Sequence, residues 1–132
     1  MANLTAPRAD ERQEGILNNE KVAAVKVYKG SLVSYNSSGY VKPAGDTADE
    51  HFAGVAMESV DNSAGAAGAQ EVRVWKEGIF GVDAASATQS WVGQDVFAVD
   101  DHTVALAATT TNDVRVGKVV AVVSATNVRV KI

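Results

Sequence analysis

The second half of this chain repeats the first at an offset of 63 residues, and that repeat constrains the fold more than any other feature. Gly30 pairs with Gly93, Val33 with Val96, Val41 with Val104, Ala44 with Ala107 and Gly54 with Gly117, while aromatic Tyr28 falls opposite aromatic Trp91. After the second Gly the register changes by seven, so that Val72-Arg73-Val74 matches Val128-Arg129-Val130 and Asp61 to Gln70 is the longer of two equivalent loops. A strand, a Gly turn, a second strand, a hairpin and a returning strand make a half-barrel whose apolar face needs a partner. Two such halves, approximately residues 21–82 and 83–132, are expected to close on each other as a compact β-barrel or sandwich with a pseudo-two-fold internal repeat.

Composition agrees with an all-β reading. The 132 residues contain 22 Val and 22 Ala against 4 Leu and 3 Ile. Valine's branched side chain is stiff at χ1 and suits a pleated surface, whereas helical cores lean on leucine. A chain of this length is expected to be one domain around one core. Asp83 to Trp91 is the one stretch expected to form a short helix, since Asp can cap and Ala favours the state.

Strand and turn signals recur from Lys21 onward. Lys21 to Tyr28, Ser31 to Tyr35 and Tyr40 to Lys42 are separated by Lys29-Gly30 and Asn36-Ser37-Ser38-Gly39. Phe52 to Met57 is a small-apolar run, and Glu71 to Lys76 alternates with period two before Ile79 to Val82. Two hairpins follow, with turns at Asp100-Asp101-His102 and Ser124-Ala125-Thr126. DNSAGAAGAQ, residues 61–70, is low in complexity and is expected to be a surface spacer. Residues 1–20 sustain neither helical nor strand periodicity and are expected to form an extended N-terminal arm. Fully extended, they would reach roughly 65 Å.

Charge and cysteine content narrow the function classes. The formal net charge is −4 and the pI near 5.1, which disfavours nucleic acid as the partner. With no cysteine, disulfides, thiolate metal sites and Cys nucleophiles are excluded. No run of 18 apolar residues occurs and Met1 to Glu20 lacks a signal peptide's apolar region, so a soluble protein with no membrane partner is expected.

Chemistry-bearing motifs are few. The two histidines each follow two carboxylates, Asp49-Glu50-His51 and Asp100-Asp101-His102, a donor set suited to a divalent ion or acid–base work. Both triplets read as turns bordering strands, they sit at an offset of 51 rather than 63, and neither catalytic nor metal residues are assigned. No nucleophile elbow, phosphate loop or dinucleotide fingerprint occurs, and no cofactor is expected. Trp75 follows the alternating Val72 and Val74 and therefore shares the opposite face with Arg73, which makes Arg73 and Trp75 candidate subunit-interface residues.

The series Gly30 to Val33 (GSLV), Phe52 to Ala56 (FAGVA), Gly65 to Gly68, Val72 to Val74 (VRV) and Gly78 resembles the small capsid decoration, or cement, proteins of tailed bacteriophages. The resemblance covers most of the chain after about residue 20. It implies a structural subunit, not an enzyme, that binds the outer surface of the mature head and stabilises it, with the major capsid protein as partner and a homotrimer favoured over a dimer. It further implies that the arm contacts the shell by strand addition, through Leu4, Pro7, Ile16 and Leu17. The competing reading is a carbohydrate- or cell-surface-binding β-module with Trp75, Tyr35 and Tyr40 as stacking platforms; an enzyme would need the two His triplets to converge.

Overall fold

The computed structural model describes residues 5–7 and 15–132, and the described chain is almost entirely β. Twelve strands follow in order: β1 Leu17–Lys21, β2 Lys26–Val27, β3 Leu32–Tyr35, β4 Val41–Pro43, β5 His51–Ala56, β6 Val60–Asp61, β7 Glu71–Trp75, β8 Ile79–Ala84, β9 Asp95–Ala98, β10 Thr103–Ala105, β11 Arg115–Ser124 and β12 Asn127–Lys131. One 3₁₀ turn, Gln89–Trp91, stands where a short helix is expected; the start of that stretch, Asp83 and Ala84, belongs to β8 instead.

The repeat holds at the level of the backbone. β8, β12, β11, β9 and β10 form a closed barrel in which β10 meets β8 in parallel through Val104 and Ala84. β1, β7, β5, β3 and β4 form a five-stranded sheet in the same order, and a single parallel bridge between Val22 and Val41, at the equivalent place, brings its two edges together into a first, less fully closed barrel. Pairings match residue for residue: Val33 faces Gly54 as Val96 faces Gly117, Ser34 faces Phe52 as Phe97 faces Arg115, and the ladder shifts register at the same point in both. Loop hydrogen bonds repeat as well. Gly30 N–H donates to Ala56 as Gly93 N–H donates to Val119, and Lys76 N–H donates to Ile16 as Ile132 N–H donates to Gly78.

Two glycine pairs explain why the repeat survives in the sequence. Gly30 and Gly93 both turn at positive φ, +83° and +86°, a region that side chains with a Cβ rarely enter. Gly54 and Gly117 sit where strands cross closely. A Cβ at Gly54 would fall on the carbonyl oxygen of Trp75 and the side chain of Val74; one at Gly117 would fall on the equivalent carbonyl of Lys131 and the side chain of Val130.

Four expectations are corrected. Each half is a complete five-stranded order rather than a half-barrel, and the halves run from Leu17 to Trp75 and from Ile79 to Lys131, joined by Lys76-Glu77-Gly78. β1 takes in Leu17 to Glu20, residues assigned by their sequence to the arm. Two buried clusters replace the single core: Val22, Val27, Val33, Val41, Ala53, Ala56, Val72 and Val74 fill the first barrel, while Val82, Val96, Val104, Val119, Val128 and Val130 lead the second. The 61–70 loop is no spacer, because the buried Asn62 amide donates to the carbonyls of Val22, Ala23 and Ala66 and ties it down.

The barrels are not symmetric mates. Leu32, Ala44 and Val55 of the first barrel belong to the second barrel's buried cluster, with Phe52 and Trp75 packed against it. Leu32, Phe52, Val55 and Trp75 lie on the outer face of β3, β5 and β7. The equivalent outer face of the second barrel carries Asp95, Arg115, Lys118 and Lys131, and all four are exposed. A closed two-fold contact would bury both faces or neither, so the packing is heterologous, one unit's face against a different surface of the next.

Candidate functional site

The residues expected to matter fall in four places. Leu4 lies outside the described residues, and Pro7 is exposed. Ile16 is 49% exposed and immediately precedes β1; its carbonyl accepts from Lys76 N–H, so the chain entering the first barrel is anchored beside the link between barrels. Leu17 opens β1 opposite Trp75. Ile16 lines an open groove with Glu77, Gly78, Lys131 and Ile132, about 480 Å³ in volume, and Ile79, next along from Gly78, is 59% exposed.

Arg73 and Trp75 do different work. Val72 and Val74 are buried and Arg73 is exposed, as the alternation predicts. The Arg73 guanidinium donates to both Glu58 carboxylate oxygens, and that pairing holds the Glu58 carboxyl below its ordinary range. Trp75 packs against the second barrel's cluster and lines a groove with Val55, Met57 and Phe80. Its ring is therefore part-covered by the contact between barrels inside one chain and part-open to that groove.

The His triplets stay apart in role. Asp100 Oδ1 accepts the backbone N–H groups of His102 and Thr103, closing the hairpin tip, and His102 Nδ1 lies 2.9 Å from Asp101 and 3.1 Å from Asp100. The Asp101 hydrogen bond and the Asp100 charge raise the imidazole's pKa. In the other triplet Glu50 is committed to Lys42 Nζ at 2.7 and 2.9 Å. Among the described residues, only Asp100, Asp101 and His102 have three donor groups close enough to share an ion, and they form a hairpin tip held by its own hydrogen bonds, with the two aspartates part-buried and His102 exposed.

Tyr35 and Tyr40 are engaged within the first barrel. Tyr35 Oη donates to Glu20 Oε1 at 2.6 Å, and Lys76 Nζ reaches Glu20 at 2.7 Å, Tyr35 Oη at 2.6 Å and the Ala53 carbonyl at 2.7 Å. Burial pushes the Glu20 carboxyl up, but hydrogen bonds from Lys76, Tyr35 and Asn18, with the Lys76 charge, outweigh it and hold the pKa below its ordinary value. The Tyr40 ring packs against Gly68, whose positive φ of +83° also disfavours a residue with a Cβ there. All three rings, Tyr35, Tyr40 and Trp75, are part-buried, and Lys76 Nζ lies 4.9 Å from the centre of the Tyr35 ring.

A feature that motif reading missed is the basic outer face of the second barrel. Arg115, Lys118, Arg129 and Lys131 stand exposed there, with Asp95 paired to Arg115 at 2.9 Å and to Lys118 at 3.4 Å. The signal was present in the repeat: at the positions where the first half has Leu32, Phe52, Val55 and Trp75, the second half has charges. Comparison with protein-family models, curated proteins and solved structures finds no match to this chain.

Proposed function

We propose that this chain is a structural capsid decoration protein, binding the outside of a mature phage head as a homo-oligomer, a trimer in preference to a dimer, with its N-terminal segment on the major capsid protein. The observation that carries the reading is the place where that segment joins the fold. It enters through the half-exposed Ile16, at an apolar groove shared with Ile132 and flanked by the exposed Ile79. Leaving the fold there, the segment offers its own main chain, with the Ile16 side chain, to a strand edge of the capsid protein. The motif series supports the same reading, since Gly30, Phe52 to Ala56, Val72 to Val74 and Gly78 mark the turns and strands of the double barrel.

No chemistry is required of such a protein. Affinity for the expanded shell alone stabilises that state by mass action, and many copies multiply the effect. The test is co-sedimentation with expanded, undecorated heads, comparing the full chain with one lacking residues 1–14, a cut that spares Ile16 and β1. Saturable binding by the full chain and its loss on truncation, with the unfolding transition unchanged, is the expected result. A full chain that stays in the supernatant overturns the reading.

A further inference from the structure

We infer that the outer face of β9, β11 and β12 is a contact surface for an acidic protein segment carrying an apolar side chain. The face holds Arg115, Lys118, Arg129 and Lys131 with one carboxylate, Asp95, so it is net positive in a chain of net charge −4. Lys118 and Lys131 are direct cross-strand partners, and Lys131 in turn faces Ile79. Like charges placed directly opposite destabilise a sheet, so this pair costs stability that an arriving carboxylate would return. Asp95 offsets only part of it: it lies 3.4 Å from Lys118, and Lys131 has no carboxylate within 4 Å among the described residues.

Two further observations give the partner its character. The equivalent face of the first barrel, with Leu32, Phe52, Val55 and Trp75, is the one covered by protein, so this fold already uses the surface for docking. At its edge the basic face runs into the groove that Lys131 lines with Ile16, Ile132, Gly78 and Glu77, where the Glu77 carboxylate favours an apolar over an acidic side chain. Carboxylates over Lys118 and Lys131 with an apolar side chain in the groove would satisfy both halves of the surface. A polyphosphate satisfies only the first.

The probe is a short glutamate peptide with one central leucine, titrated into the full chain and followed by ¹H–¹⁵N NMR. Shifts are expected to concentrate on Asp95, Arg115 to Lys118, Arg129 to Lys131 and Ile16. The K118E/K131E variant should weaken binding by about tenfold or more, as charge reversal at a contact does. The charge-matched K26E/K29E variant, on exposed positions elsewhere, should leave it unchanged, and thermal melts of both variants verify folding. Replacing the leucine by glutamate should lower affinity as well. Equal loss in both reversal variants, shifts away from this face, or tighter binding of duplex DNA to the same residues would each overturn the inference. So would self-association that K118E/K131E abolishes, which would assign the face to a second copy of the chain.

Discussion

The first barrel and the second share a backbone and differ in what surrounds it. Inward positions are kept: Val33 and Val96, Val41 and Val104, Val72 and Val128, Val74 and Val130 are all fully buried. Outward positions diverge, apolar where the first barrel meets the second and charged where the second meets solvent. A third set departs in between. Glu20, Tyr35 and Lys76 form a polar cluster in the first barrel, whereas their equivalents Val82, Ala98 and Ile132 are apolar and pack into the second barrel's cluster. Backbone geometry and inward packing therefore fix a repeat, while each surface follows its own contacts.

The largest test of that view lies at the glycines. Gly54→Ala and Gly117→Ala should each destabilise the chain by about 4 kcal/mol or more, because a Cβ meets backbone that cannot yield. Urea unfolding measures both; a cost under about 1 kcal/mol at either site would break the structural equivalence.

Next in size is the divergent face. Trp75→Ala should cost about 3 kcal/mol by removing the ring from the contact between barrels. At the equivalent exposed position, Lys131→Ala should change stability by no more than about 0.5 kcal/mol. Similar costs at the two sites would mean that the outer faces are not used differently.

The smallest effect concerns pH. Because the folded-state pKa of Glu20 is depressed, its contribution is fully present above the ordinary value of 4.5 and is lost as pH falls through the folded pKa. Hydrogen exchange below pH 4.5 should therefore show β1 and β7 losing protection before β8 and β12. Glu20→Gln should remove that pH dependence, and simultaneous loss in both barrels would contradict it.

Much of this architecture was legible in the sequence, for reasons that can be named. The 63-residue offset was readable because glycine at Gly54 and Gly117 is enforced by close backbone approach, and the strands from Leu32 onward, apart from the two-residue β6, were readable because they alternate or carry valine. β1 was not, since Leu17-Asn18-Asn19-Glu20 lacks alternation and strand propensity; it is held by pairing to β7 and by the Glu20 cluster, both tertiary. The long loop read as a spacer because nothing in its composition reveals that Asn62 is buried. Of the candidate site, Trp75's outward orientation was predicted, but not that part of its ring packs against the chain's own second barrel. The basic face was hidden because motif searches look at what repeats, and its information lies where the repeat fails.

The shared second cluster sets an order of events during synthesis. The first barrel's cluster is built from its own residues, Val22 to Val74, so it can form once that stretch has left the ribosome. The second needs Leu32, Ala44 and Val55 to complete its own. Because translation delivers the N-terminal half first, the earlier barrel stands ready as a template on which the later one condenses, and the three-residue link keeps the two at high effective concentration throughout.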